Sequence, residues 1–123
     1  MSEATAFVEA NEIRDEAVPH VWFTQIPNLV DEMNLSPYAI RLYLHMKRVT
    51  GETTNGRCWQ STRTLAKASR MSIGSVVKAK QELQSSSPPL IKVKVEKIGK
   101  EKFRHIITIR DIWPENHKAY RES

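Results

Sequence analysis

The sequence predicts an α+β domain in which several helices come first and a β-hairpin follows. Three observations lead to this prediction: serines at helix-start positions, a break at two consecutive prolines, and a strict alternation of apolar and charged residues after them. The serines are Ser36, Ser61 and Ser72, the prolines are Pro88 and Pro89, and the alternation runs from Leu90 to Lys97. With 123 residues, of which 40% are hydrophobic, the chain is expected to form one domain around one core.

The first half of the chain predicts one main helix and two shorter elements. His20 to Ile26 is aromatic and β-branched, which predicts a short first strand or extended arm anchored by Trp22 or Phe23. Pro27 to Met33 predicts a single helical turn. Ser36 as N-cap and Pro37 at the first helical position begin the main core helix, whose apolar spacing continues to about Val49.

Two closely spaced helices are predicted next. The Asn55-Gly56 pair predicts a turn, and Arg57 to Trp59 predicts a short strand. Ser61 then begins a helix that runs to Ser69, and Ser72 begins another that runs to about Gln84. The inner face of this helix-turn-helix is expected to consist of Leu65, Ala66, Met71, Val76, Ala79 and Leu83.

A basic β-hairpin is predicted after the prolines. Its first strand places Ile91, Val93 and Val95 on one face and Lys92, Lys94 and Glu96 on the other. After a turn at residues 98–101, Lys102 to Ile109 returns with Phe103, Ile107 and Ile109 facing inward. The expected organisation is therefore an acidic flexible tail at 1–19, the domain at 20–112, and a C-terminal tail at 113–123 that frays after Trp113 docks on the core.

Composition excludes several classes of function. Cys58 is the single cysteine, so the chain cannot form an intramolecular disulfide or a cysteine-based zinc cluster. The four histidines show no ligand spacing, and no metal or other cofactor is expected. The chain lacks a run of about 18 apolar residues, and its N-terminus is acidic where a signal peptide is basic and then apolar. A cytoplasmic protein that does not bind membranes is the expectation.

The charge is distributed unevenly along the chain. The formal net charge is +5, but residues 1–19 hold one basic and five acidic residues, and residues 61–110 hold twelve basic and three acidic ones. A basic half of this kind predicts a polyanionic partner. The alternative is a basic surface that only faces solvent, and charge alone does not decide between the two.

The order of the elements is that of a winged helix-turn-helix with a three-helix core and a C-terminal β-hairpin wing, which predicts binding to double-stranded DNA. The last helix is expected to enter the major groove, where short hydroxyls and free helix amides suit phosphates, and Ile73 suits a thymine methyl. The predicted recognition-helix residues are Ser72, Ile73, Gly74, Ser75, Lys78, Lys80 and Gln81. The predicted contacts from the preceding helix and the wing are Arg63, Lys92, Lys94, Lys97, Lys100, Lys102 and Arg104.

Three segments carry a resemblance to a known family. MSIGSVVKAKQEL, preceded by STRTLAKAS and by FTQIPNLVDEMNLSPYAIRLYLHMK, resembles the N-terminal winged-helix domain of bacteriophage and plasmid replication-initiator (replisome-organiser) proteins. The resemblance covers residues 20–112 and implies binding to origin DNA, with replication or transcription proteins as further partners and no enzymatic residue. Arg70 stands where the family's turn often has glycine, so a non-glycine residue at positive φ is expected, at a cost of about 1 kcal/mol.

Other interpretations stay open at this point. Related domains occur in transcription regulators, and a winged helix can also bind protein, with the acidic tail covering its own basic face. An enzyme is not expected, because the sequence shows no clustered acids, positioned nucleophile or metal set. A homodimer is left open, since one winged helix covers few base pairs. Trp22, Trp59 and Trp113 are expected to anchor the core rather than to stack on bases.

Overall fold

The computed structural model describes Glu12, Arg14, residues 23–52 and residues 59–121. Its helices are α1 (Asn28–Glu32), α2 (Pro37–Gly51), α3 (Thr62–Ser69), α4 (Ile73–Ser85) and α5 (Trp113–Arg121). Strands β1 (Ile91–Gly99) and β2 (Lys102–Ile109) pair antiparallel as a hairpin between α4 and α5. The predicted α+β winged helix is thus the observed fold.

The helix starts follow from their serine caps. The Oγ atoms of Ser36, Ser61 and Ser72 accept hydrogen bonds from the backbone N–H groups of the residues three positions later. These bonds satisfy amides that a helix start otherwise leaves without an acceptor. The predicted starts are confirmed, and α2 continues two residues beyond the predicted end at Val49.

The turn between α3 and α4 is tight. Arg70 has φ 55° and ψ 50°, the left-handed conformation expected for a residue at a glycine position. The N–H of Met71 donates to the carbonyl of Ala66 at 3.0 Å and closes the end of α3. The positive φ predicted for Arg70 is therefore confirmed.

The core lies between α2, α4 and the base of the hairpin. Leu42 and Tyr43 of α2 are fully buried, and burial raises the pKa of the Tyr43 phenol. The other buried apolar residues are Val30, Ala39, Met46, Leu65, Ala66, Val76, Ala79, Leu83, Leu90, Ile91 and Ile112. The predicted inner face of the helix-turn-helix is confirmed, with Met71 half-buried at its edge.

Two polar contacts fix the helices relative to one another. Glu82 of α4 accepts hydrogen bonds from the backbone N–H and the hydroxyl of Ser36, the latter at 2.7 Å, so the start of α2 is held against α4. Nη2 of Arg41 donates to the carbonyl of Ala68 at 3.2 Å and ties α2 to the end of α3. The N–H of Leu90 donates to the carbonyl of Leu83 at 3.0 Å and holds the base of the hairpin on α4. The N–H of Arg110 donates to the carbonyl of Leu90 at 2.9 Å and joins the two ends of the hairpin.

The C-terminal residues differ from the predicted fraying tail, because residues 113–121 form α5. The carboxylate of Asp111 accepts the N–H of Trp113 at 3.0 Å, and Oδ1 of Asn116 accepts the N–H of Leu29 at 2.8 Å. The pKa of Tyr120 is raised by desolvation and by the hydrogen bond and charge of Glu32, with Asp31 adding to the effect. Contacts with α1 thus order a segment whose own composition is polar.

Neither strand predicted for the first half of the chain is present among the described residues, which leaves the extended arm for residues 23–26, and the predicted acidic tail at 1–19 lies almost wholly outside the described residues. Residues 23–27 lack regular structure, Trp59 is not in a strand, and the rest of the two expected strands lies outside the described residues. Of the acidic segment only Glu12 and Arg14 are described, both exposed, with Nε of Arg14 2.9 Å from Oε1 of Glu12.

The tryptophans do not anchor the core as expected. Trp59 is 69% exposed and Trp113 is also exposed, whereas the neighbouring Ile112 is fully buried in place of an aromatic anchor. Trp22 lies outside the described residues. The expectation is therefore wrong for Trp59 and Trp113.

Candidate nucleic-acid interface

The first turn of α4 forms a small, exposed and uncharged tip. Oγ of Ser72 accepts the N–H of Ser75 at 3.0 Å and donates to the Ser75 hydroxyl at 2.9 Å. Ile73 and Gly74 are exposed between these serines. A Cβ at Gly74 would meet only Ser72 Oγ at 3.8 Å, so packing does not require the glycine. The free amides and lack of bulk suit close approach to a phosphate or a base edge.

The exposed face of α4 continues beyond the tip. Lys78 and Gln81 are exposed, as predicted, and Val77 is exposed one turn after Ile73. Val77 was not among the predicted contacts, although it stands four residues after Ile73 and so shares the face of that predicted contact. Ile73 and Val77 make an apolar strip at i, i+4 spacing that suits thymine methyl groups.

Lys80 corrects one predicted contact. Its side chain is 8% exposed, and Nζ lies 2.9 Å from Nδ1 of His105 on β2. Lys80 follows Val76 by four residues and precedes Leu83 by three, so it lies on the buried side of α4. Desolvation by burial lowers the pKa of the Lys80 ammonium. The residue joins α4 to β2 and does not lie on the exposed face of α4.

Helix α3 contributes more cations than predicted. Arg63, Lys67 and Arg70 are all exposed, and their spacing of four and then three residues places them along one side of α3 and its turn. Only Arg63 was predicted, although the helical spacing from it leads to the other two. Such a stripe suits a row of phosphates beside the groove that α4 is predicted to enter.

The wing places its lysines on both faces. Lys92, Lys94, Lys97, Lys100 and Lys102 are exposed, as the prediction requires. Arg104 differs because its guanidinium is already engaged: Nη2 is 2.9 Å from Oε1 of Glu96, and the group lies 4.6 Å from the centre of the Trp59 ring. Arg104 therefore orders the middle of the hairpin, and the lysines supply the charge that is free to meet phosphate.

For Lys80→Met we expect a free energy of unfolding at pH 7 that is unchanged or raised by about 1 kcal/mol. Methionine fills a volume similar to that of lysine and removes the buried ammonium group. The folded-state pKa of Lys80 lies below its ordinary value, so the unfolded chain binds more protons in the interval between them. Relative to Lys80→Met, the wild type therefore gains stability as pH rises through that interval. Urea unfolding of both chains near pH 7 and about pH 10 measures this difference.

A wild-type advantage of several kcal/mol at pH 7, or a difference between the two chains that does not change with pH, would contradict this account of Lys80. His105→Ala serves as the partner control, because His105 is exposed and water can replace it as acceptor. We expect that variant to be folded at pH 7 with Lys80 still buried.

The described residues give no sign of a metal centre or a membrane helix. Among Glu12, Arg14 and residues 23–52 and 59–121, no three His, Cys, Asp or Glu side chains are grouped so that they could hold a metal ion. In the same part of the chain, no helix is long and apolar enough to cross a membrane.

Comparison with known proteins agrees with the helical core. No curated protein and no solved structure matches the chain. Residues 33–87 match a family model described as a helix-turn-helix domain, and this range begins before α2 and ends after α4. The match over these helices, followed by the antiparallel hairpin, supports a winged-helix domain that binds DNA.

Proposed function

We propose that this chain is a double-stranded DNA-binding module of phage- or plasmid-type replication initiation, without a catalytic role of its own. The exposed tip of α4 carries the proposal, because serine hydroxyls, free amides and Gly74 form a surface that can enter a groove. Lys78 lies one turn beyond the tip. The replication role is supported by the resemblance of residues 20–112 to initiator domains.

The charges suggest how the duplex would lie. With α4 in the major groove, the stripe of Arg63, Lys67 and Arg70 meets the backbone on one side. The wing lysines meet the backbone on the other side. Base contacts are limited to short hydroxyls, Gln81 and the apolar strip of Ile73 and Val77, so phosphate contacts supply most of the affinity.

DNA binding is tested by fluorescence anisotropy with a duplex at salt concentrations from about 50 to 200 mM. Two variants of α4 are compared, Lys78→Ala on its exposed side and Lys80→Met on its buried side. Removing the exposed Lys78 is expected to make the negative slope of log K against log salt less steep by about 0.9. Removing the buried Lys80 is expected to leave that slope unchanged. Equal loss from both variants, or no binding by the wild type at low salt, would contradict the proposed orientation of α4.

Transcription regulation is the alternative role for the same interface, and genomic context separates the two. Fragments of the replicon that encodes the chain can be incubated with the protein, and the bound fragments sequenced. Replication initiation predicts enrichment of a cluster of repeated sites in one region. Enrichment confined to promoters would favour the transcription role.

A further inference from the structure

The core-facing side of the hairpin changes character along its length. Residues directly opposite in an antiparallel pair share a face, so Ile91 with Ile109 and Val93 with Ile107 form the buried and half-buried base. The next pairs on this face are Val95 with His105 and Lys97 with Phe103, and all four residues are exposed.

Three large apolar side chains are therefore exposed on the outer half of the hairpin. Val95 is 59% exposed, Phe103 is 62% exposed, and Ile98, at the irregular position before Gly99, is 53% exposed. We name these three residues the wing-tip patch. The base of the hairpin already supplies the contacts that hold it on the core, so the patch adds little to folding. Val95 and Phe103 are diagonal neighbours on the core-facing side, and Ile98 lies at the turn end of the hairpin, so the outer end of the hairpin is an exposed apolar surface available for interaction.

The surroundings of the patch are basic. Four lysines and one acid, Glu101, are exposed around it, and the second acid, Glu96, forms a salt bridge with Arg104 at 2.9 Å. The lysines are Lys94, Lys97, Lys100 and Lys102, so the surroundings keep a net positive charge. A matching partner must offer negative charge on both sides of an apolar surface. Duplex DNA offers phosphates along each strand, and the faces of its base pairs become accessible where a base step is opened.

Resting on the proposed DNA binding, we propose that the wing-tip patch is a wedge that enters the minor groove, inserts Phe103 at a base step and kinks the duplex. From Val93 to Gly99 the strand extends about 20 Å at its usual rise, and Lys80 and His105 hold the hairpin to α4. With α4 in the major groove, this length reaches the adjoining minor groove. That groove is about 6 Å wide, so a two-stranded ribbon enters only if the groove opens, which a kink accomplishes.

Ligase-mediated cyclisation of a DNA fragment of about 150 bp tests the wedge without knowledge of the binding site, because a fragment near one persistence length closes slowly unless it is bent. The full chain is expected to raise the cyclisation rate about tenfold. At equal occupancy of the fragment, Phe103→Ala should lose most of this increase and Phe103→Leu should keep it. Tyr38→Ala is the matched control, because it removes an exposed aromatic ring from α2, outside the proposed interface. Both the increase in cyclisation rate and the salt dependence of binding should stay as in the wild type.

The outcomes separate the wedge from the proposed function. Salt-dependent binding without faster cyclisation, or equal acceleration by Phe103→Ala, overturns the wedge and leaves DNA binding intact. Absence of duplex binding overturns both. Sedimentation with anionic phospholipid vesicles is run beside the DNA assay, and vesicle binding that depends on Phe103 without DNA bending would assign the patch to a membrane surface instead.

Discussion

Ser75→Glu is expected to weaken duplex binding on the order of 100-fold while leaving the fold intact or slightly more stable. Ser75 lies in the first turn of α4, three residues after the Ser72 cap. A carboxylate there can accept the N–H of the cap residue and lies near the positive end of the helix dipole, which adds about 0.3–1 kcal/mol to stability. The same carboxylate would face DNA phosphates, and like charges in an interface cost several kcal/mol. Anisotropy and thermal unfolding of the same variant measure the two effects.

The neutral control for this experiment is Ser75→Gln, which has nearly the same shape as the glutamate variant. It should keep most of the affinity if charge is the cause, and should lose it if bulk at the tip is the cause. Unchanged binding by Ser75→Glu would show that the α4 tip does not face DNA. Loss of both stability and binding would instead indicate that the Ser72 cap had been disturbed.

Much of the helical core was predictable because its signals are local. Each cap bond joins residues three positions apart, so Ser36, Ser61 and Ser72 marked the helix starts on sequence alone. The αL turn at Arg70 was expected from the resemblance to replication-initiator domains, in which this turn position often has glycine. The burial of Lys80 was also within reach, since it stands four residues after Val76 and three before Leu83, both predicted to face inward.

The remaining features depend on contacts between distant parts of the chain. Helix α5 forms where Asn116 accepts the N–H of Leu29, and no short-range pattern links these two residues. Trp59 was expected in the core because tryptophan is usually buried, yet the Arg104 guanidinium stacks on it at the surface. The exposure of the wing-tip patch depends on how far the hairpin extends beyond the core, because alternation and the strand register both place Val95 and Phe103 on the core-facing side.

Leu83→Ala is expected to lower the free energy of unfolding by about 2–5 kcal/mol, because Leu83 is fully buried where α4 packs against α2 and β1. Its carbonyl also accepts the N–H of Leu90 at the start of the hairpin, so surrounding atoms have little freedom to fill the cavity. A domain of this size has a free energy of unfolding of only about 5–15 kcal/mol, so this loss is a large fraction of the total. The Tm of Leu83→Ala should therefore fall by roughly 10–20 °C. Urea and thermal unfolding measure the loss.

Val77→Ala on the same helix is the matched control. Val77 is exposed, and alanine favours helix more than valine does, so its effect on stability should stay within about 0.5 kcal/mol. Val77→Ala should weaken DNA binding more than Leu83→Ala does, since it removes half of the apolar strip. Leu83→Ala should bind DNA normally at temperatures where it is folded. A Val77→Ala chain that loses as much stability as Leu83→Ala would mean that the core-facing and DNA-facing sides of α4 have been assigned the wrong way round.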